Sequence, residues 1–182
     1  MELFLNKEPN VVSASQLQSE LTGSFGDGLT SSRIQEGEGG IAKFKREHLW
    51  LAVTRERFLD MIDALGEYDF PHFHVTSGND DGEAIRLNYH FSLFRRTGFG
   101  KELAVTVTVN VPKSDLTIPS LYSRIPGVEY SEREILEMLG VDPVGLPNKA
   151  PILLPDDWDQ SVKPWRRDET GPEGKGLIND LS

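Results

Sequence analysis

The chain contains no cysteine among its 182 residues. That excludes disulfides, thiol nucleophiles, cysteine-type zinc sites and cysteine-ligated iron–sulfur clusters at once. Long apolar runs are also missing. Nothing approaches the ~20 consecutive apolar residues that span a bilayer, so any membrane association is expected to come through a partner. The opening Met1-Glu2-Leu3-Phe4-Leu5-Asn6-Lys7 has neither a basic start nor an extended apolar segment, so no signal peptide is expected. Positive charge is scarce: 19 Lys and Arg face 29 Asp and Glu, a net charge of −10. Such a surface repels phosphate over most of its area, which argues against a nucleic-acid partner or a direct grip on anionic lipid.

Common catalytic signatures are missing as well. Gly23, Gly26 and Gly28 have no strand before them and no convincing helix after them, so they match neither a dinucleotide fingerprint nor a P-loop. No Gly-x-Ser-x-Gly elbow occurs, and no spacing pairs a nucleophile with its base. The chain shows no internal repeat.

What remains is an ordinary globular composition, 37% hydrophobic and 26% charged, of a length that suits one domain with a tail. Ser13–Leu21 suits a short helix capped by Ser13 or Ser15. Residues 23–40, rich in glycine and serine, suit a loop with one short strand, and Ile41–Lys45 and Leu49–Val53 suit strands. Thr54 is placed to cap a helix in which Phe58, Met61, Ile62 and Leu65 share one face, with Gly66 as the stop. From Phe70 to Val111 the period becomes two. Phe73 and Val75 are expected inward, Ser77–Gly82 forms a turn, and two apolar rows follow, Ile85 to Leu93 and Leu103 to Val111. The expected fold is α+β: a two-layer domain with a mixed, mostly antiparallel sheet, helices packed on one face, and an extended C-terminal tail.

Most of the eleven prolines fall after residue 111, so regular structure there must be short. A brief helix is expected around Leu121 and a better one from Ser131 to Leu139. Beyond Pro155 the chain is polar, with Trp158 and Trp165 standing alone among charges. A segment so poor in apolar residues cannot order itself by burial, and its tryptophans suit anchors on a neighbouring chain. The division expected is residues 1–154 as the α+β domain and 155–182 as the tail.

Two clusters carry potential chemistry. His72 and His74 share one strand face and His90 can lie beside them, which makes a free-standing metal-binding protein an alternative. The plainer reading is three polar side chains on the wetter face of a sheet. The second cluster is Ser131-Glu132-Arg133-Glu134-Ile135-Leu136-Glu137-Met138-Leu139-Gly140. Here Ser131 and Glu134 suit a capping box, Glu132 and Glu134 suit the helix dipole, Arg133 and Glu137 form an i, i+4 pair, and Gly140 ends the helix.

Local helix chemistry accounts for those residues but not for the two segments that follow in order, Leu154-Pro155-Asp156-Asp157-Trp158 and Pro164-Trp165-Arg166-Arg167-Asp168. The ordered set resembles the signature of the 30-kDa-subunit family of respiratory complex I, which includes subunits of energy-converting membrane hydrogenases and archaeal reduced-deazaflavin dehydrogenases. Members commonly carry Phe-x-Gly-His-Pro after Gly-Val, where this chain has Pro143-Val144-Gly145-Leu146-Pro147. Trp165 stands where a leucine is usual. These departures favour the hydrogenase or archaeal branch over an NADH:quinone oxidoreductase proper. The resemblance implies a hydrophilic-arm subunit with no catalytic residue, cofactor or metal of its own. It implies docking beside a large catalytic subunit and a small iron–sulfur subunit, with the iron–sulfur clusters and a nickel–iron or quinone site in those partners. It also implies a peripheral position on the cytoplasmic side of the membrane. The interface residues it implies are Glu132, Arg133, Glu134, Glu137, Trp158, Pro164, Trp165, Arg166, Arg167 and Asp168.

Overall fold

The computed structural model describes residues 8–39, 44–98 and 100–174. They fall into two compact units, one holding the described residues up to Val75 with Asn88–Val109, the other Thr76–Leu87 with the described residues from Asn110 onward. The elements are α1 (Ala14–Phe25), β1 (Leu29–Gly39), β2 (Phe44–Val53), α2 (Phe58–Gly66), β3 (His72–Asp80), β4 (Ala84–Leu93), β5 (Leu103–Pro112), β6 (Thr117–Pro119), α3 (Glu129–Leu139) and β7 (Asp142–Val144).

One five-stranded sheet runs in the order β1-β2-β5-β4-β3. β1 and β2 pair antiparallel, while β2 and β5 pair parallel. Residues 94–102 and 81–83 join β4 to β5 and β3 to β4, and both connections are too short for a parallel crossover. The sheet is therefore mixed and mostly antiparallel, and the fold is α+β as expected.

In the first unit the alternation of the strands sorts the two faces. Leu49, Leu51, Val53, Tyr89, Phe91, Val105, Val107 and Val109 are buried. α1 presents Ala14, Leu17, Leu21 and Phe25 at helical spacing, and its Gln18 bonds Ser32 at 3.0 Å. Ser32 lies opposite Leu51 in the ladder, so α1 covers the apolar face. α2 adds Phe58, Met61, Ile62 and Leu65, all fully buried, and sets Phe58 4.6 Å from the Tyr89 ring. Each such side chain stabilises the unit by roughly 1.5–3 kcal/mol through removal from water.

Several local expectations are corrected. Residues 29–39, expected to be mostly loop, form a full strand because the β2 ladder supplies the hydrogen bonds that their weak strand propensity does not. Ile41 lies outside the described residues, and β2 begins at Phe44. Thr54 makes no side-chain cap; a 3-10 turn, Arg55–Arg57, leads into α2. Gly66 is the last helical residue and not a stop beyond it. Ser77–Asp80, expected as a turn, continues β3, and only 81–83 turn. Val75 is 44% exposed while Thr76 is buried, the reverse of the expected facing.

In the second unit β6 and β7 pair parallel. Around Leu121 the chain makes a single helical turn, its carbonyl accepting the N–H groups of Arg124 and Ile125. α3 starts at Glu129, extended backwards by the Pro126–Val128 turn, so Ser131 lies inside the helix and forms no capping box. Proline at the first position of that turn fixes φ for helical entry, which moves the start upstream of the side-chain signal. Gly140 does close α3, with φ 76°.

Gly78 marks where α3 meets β3. A Cβ there would overlap Leu139 Cδ1 and lie 3.3 Å from Leu87 Cδ2, and both leucines are fully buried. Gly78→Ala is expected to destabilise the protein by about 1–3 kcal/mol, as overpacking does, seen as a lower urea midpoint with an unchanged slope.

Candidate functional site

Every motif segment found in the sequence lies in the second unit, and α3 is what organises it. Glu137 is 4% exposed. It accepts the consecutive backbone N–H groups of Ile152, Leu153 and Leu154 at 3.2, 3.0 and 2.8 Å. One turn earlier, Arg133 donates to the carbonyls of Ala150 at 2.8 Å and Pro151 at 3.3 Å. These two helical positions, four apart, therefore face the same strip of chain, one taking its donors and the other its acceptors. The expected Arg133–Glu137 ion pair does not form. Arg133 pairs instead with Glu129 at 3.5 Å, because each side chain has a better backbone partner.

The other end of α3 is closed by the second motif segment. Lys163 Nζ donates to the Leu136 carbonyl at 3.3 Å, the Trp165 N–H to Met138 at 3.0 Å, and Arg166 Nη1 to Leu139 at 3.2 Å. The Met138 and Leu139 carbonyls are among those a helix end leaves unpaired, while the Leu136 carbonyl also accepts the Gly140 N–H at 3.1 Å. Arg166 is 9% exposed, and its guanidinium also binds Asp168. Asp168 accepts Lys113 Nζ at 2.6 Å, the Thr170 N–H at 3.0 Å and the Thr170 hydroxyl at 2.6 Å. Lys113 bridges to the buried Asp80 at 2.8 Å, which also takes the N–H groups of Gly82 at 3.0 Å and Arg167 at 2.8 Å.

Burial works to raise the Asp168 carboxyl, but bonds from Arg166, Lys113 and Thr170 outweigh it and hold it well below the usual carboxylate range. Asp80 is likewise held down, since burial is outweighed by the Arg167 N–H, Lys113 and Gly82. Glu132 goes the other way. It is fully buried with only Ser120 Oγ at 2.5 Å and the Leu121 N–H at 2.8 Å, and burial pushes its carboxyl up.

The ten motif residues thus divide. Glu132, Arg133, Glu137, Arg166 and Asp168 are engaged within the chain. Trp158 is half-buried, with its indole N–H on the Val162 carbonyl at 3.1 Å. Glu134 and Pro164 are half-buried, Trp165 is 44% exposed, and the Arg167 side chain is exposed. Asp80, Lys113 and Ser120 were not anticipated, because each lies in a turn or strand end far in sequence from the residue it serves.

In the first unit the histidines lie on the less apolar face of the sheet. His72 and His74 rings are 5.1 Å apart, and His74 bonds Ser92 at 2.9 Å. His90 bonds the Thr106 hydroxyl at 2.9 Å, and so does His48 at 2.7 Å, a histidine the sequence did not single out. Burial pushes the His48 and His90 imidazoles down. Among the described residues no group of three His, Asp or Glu is arranged to hold a metal ion.

Residues 51–175 match the family model of the respiratory-chain NADH dehydrogenase, 30 Kd subunit. The chain belongs to this family. It is 31% identical to membrane-bound hydrogenase subunit beta of Pyrococcus furiosus over 131 residues, 71% of this chain and 74% of the relative. With NAD(P)H-quinone oxidoreductase subunit J of Prochlorococcus marinus it shares 26% over 164 residues, 86% of this chain and 91% of the relative. A chain of the membrane-bound sulfane sulfur reductase, an archaeal respiratory membrane complex, has the same fold. The TM-score is 0.62, covering 91% of this chain and 95% of that one at 15% identity. The 30-kDa-family member described here is therefore a complex-I-like subunit of the hydrogenase or quinone-oxidoreductase type, within a multisubunit oxidoreductase. No helix among its described residues is long and apolar enough to cross a membrane.

Two outcomes test the internal network. Glu137→Ala removes the acceptor for three N–H groups and is expected to cost about 2–4 kcal/mol in chemical unfolding, with faster proteolysis within residues 150–158. Asp80 and Asp168 have folded pKa values below their unfolded ones, so they contribute stability in full above about pH 5 and lose it progressively as pH falls from the ordinary carboxylate range down through their lower folded values. Unfolding free energy is expected to drop from neutral to acid pH, and Asp168→Asn to flatten that slope.

Proposed function

We propose that this chain is a non-catalytic hydrophilic-arm subunit of a membrane-bound, ion-translocating oxidoreductase of the energy-converting hydrogenase or archaeal branch. In this reading it docks beside the large catalytic subunit and the small iron–sulfur subunit and stabilises them. The observation that carries the branch is the 31% identity to the hydrogenase subunit, spread over 71% of the chain. A place in a quinone oxidoreductase proper is the second reading, favoured by the longer alignment to subunit J.

The chain's own chemistry supports a docking role. It has no cysteine to ligate iron–sulfur clusters. Its buried Glu132 and Glu137 are taken up by backbone N–H groups and a hydroxyl within the chain. In this reading the iron–sulfur clusters and the nickel–iron or quinone site belong to the partner subunits, and the complex sits on the cytoplasmic side of the membrane.

The interface in this reading is the part of the motif not engaged internally. Exposed Tyr130, Val144, Leu153 and Trp165 fall in the second unit, with the Arg167 guanidinium beside Trp165 in sequence. Exposed aromatic and arginine side chains are the residue types that carry binding energy at interfaces. The buried pairs fix the shape that presents them.

Deleting 155–182 also removes the partners of Asp80 and Lys113, so surface substitutions give a cleaner test. Trp165→Ala combined with Arg167→Glu is expected to leave the unfolding midpoint unchanged while an affinity-tagged copy loses the large redox subunit on purification. Undiminished co-purification would sink the interface, and accompanying proteins unrelated to redox subunits would sink the function.

A further inference from the structure

The first unit carries a feature that the docking role of the second does not use. In a chain with net charge −10, Lys45, Arg46, Arg95 and Arg96 line one cavity of about 590 Å³, with only Glu47 and Glu102 as carboxylates in its wall. Lys45 and Arg46 open β2, and Arg95 and Arg96 sit in the turn between β4 and β5.

The turn is held in an uncommon conformation. Phe94 has φ 64°, the one non-glycine with positive φ among the described residues, although it is bulky and 1% exposed. Left-handed backbone at such a residue is strained, and persists only where its surroundings over-determine it. The fixing group is Asp69, itself buried, which accepts the Phe94 N–H at 2.6 Å. Gly98 has φ 123° and Gly100 φ 78°, values that favour glycine. The backbone that leads into the two arginines is thus fixed at Phe94.

Their existing ion pairs leave room for a better partner. Arg95 Nε is 3.8 Å from Glu102, and Arg96 Nη2 is 3.8 Å from Asp69, both too long for a hydrogen bond. The Asp69 oxygen concerned is buried without a hydrogen-bond partner. Their side chains are 48% and 67% exposed. A guanidinium binds a carboxylate best through two parallel N–H bonds, a geometry neither internal contact supplies.

We propose that this basic pocket is a second docking site, which takes an acidic, carboxylate-bearing segment of a partner polypeptide. The volume is that of a site for several residues' side chains and not for a single ion. Lys45 is already paired with Glu36 at 2.9 Å, so the two guanidinium forks on the turn, with Arg46 on β2, are the groups that suit carboxylates spaced along an extended peptide. The site is separate from the second-unit interface and does not rest on it.

The test uses the full chain and a fluorescein-labelled decaglutamate peptide, followed by anisotropy. Saturable one-to-one binding is expected despite the like net charge, weakening steeply as salt shortens the screening length. Arg95→Glu with Arg96→Glu is expected to weaken it at least about tenfold, since like charges across an interface repel. Arg95→Lys with Arg96→Lys, which keeps charge and loses the forks, is expected to fall between. Should the reversal variant lose its thermal transition, Lys45→Glu with Arg46→Glu at the exposed start of β2 replaces it. Peptide binding unchanged by reversal, no peptide binding, or binding only to inorganic phosphate or phosphatidylglycerol vesicles would each overturn the proposal.

Discussion

Three consecutive backbone N–H groups, those of Ile152, Leu153 and Leu154, end on one buried carboxylate, Glu137. Nearly everything distinctive in the second unit depends on that contact. An anion taken out of water is tolerable only when its oxygens are saturated, so once α3 forms with Glu137 facing inward, the chain at 152–154 must supply its N–H groups. Arg133 secures the same strip through the carbonyls of Ala150 and Pro151. From there Pro155–Trp158 turns, Val162 is buried, and the chain returns to the C-terminal end of the helix it started from. Lys163, Trp165 and Arg166 close that end. The helix and the segment beyond it are a mutual construction, in which neither has satisfied polar groups without the other.

This explains how a segment with so few apolar residues is ordered at all. Hydrophobic burial supplies little beyond Val162. The order comes from backbone groups delivered to helix ends and to a carboxylate, and from the chain of charges Asp80, Lys113, Asp168 and Arg166. Buried ionic networks of this kind contribute modestly to net stability and strongly to register, because any shift leaves a charge unpaired.

The first unit follows a different logic. Its helices are held by apolar faces against a sheet, and the far side of the sheet is polar, with His48 and His90 meeting at Thr106. Strain appears at Phe94, where tight connection of β4 to β5 is reconciled with a buried aromatic by one carboxylate, Asp69. Frameworks of that sort hold exposed side chains in place, and the exposed side chains there are arginines.

Much of this was legible in the residues themselves. Periodicity located the inward faces of α2, β4 and β5, because a side chain's facing in a helix or strand follows from spacing alone. Gly140 announced the end of α3, since an αL stop needs a residue without Cβ. The order of Glu-Arg-Glu, Leu-Pro-x-x-Trp and Pro-x-Arg-x-Asp was sufficient for the family. Only the tertiary structure decided that β1 is a strand, that Ser77–Asp80 continue β3, and that α3 begins before Ser131, for these follow from a paired ladder, a packed leucine and an upstream proline turn. It likewise decided that Glu137 holds a backbone strip and not Arg133, and that Asp80 and Lys113 belong with Asp168. Side chains and backbone groups far apart in sequence compete for one another only after folding brings them within hydrogen-bond reach, and the short-range pattern that guides sequence reasoning carries no record of who wins.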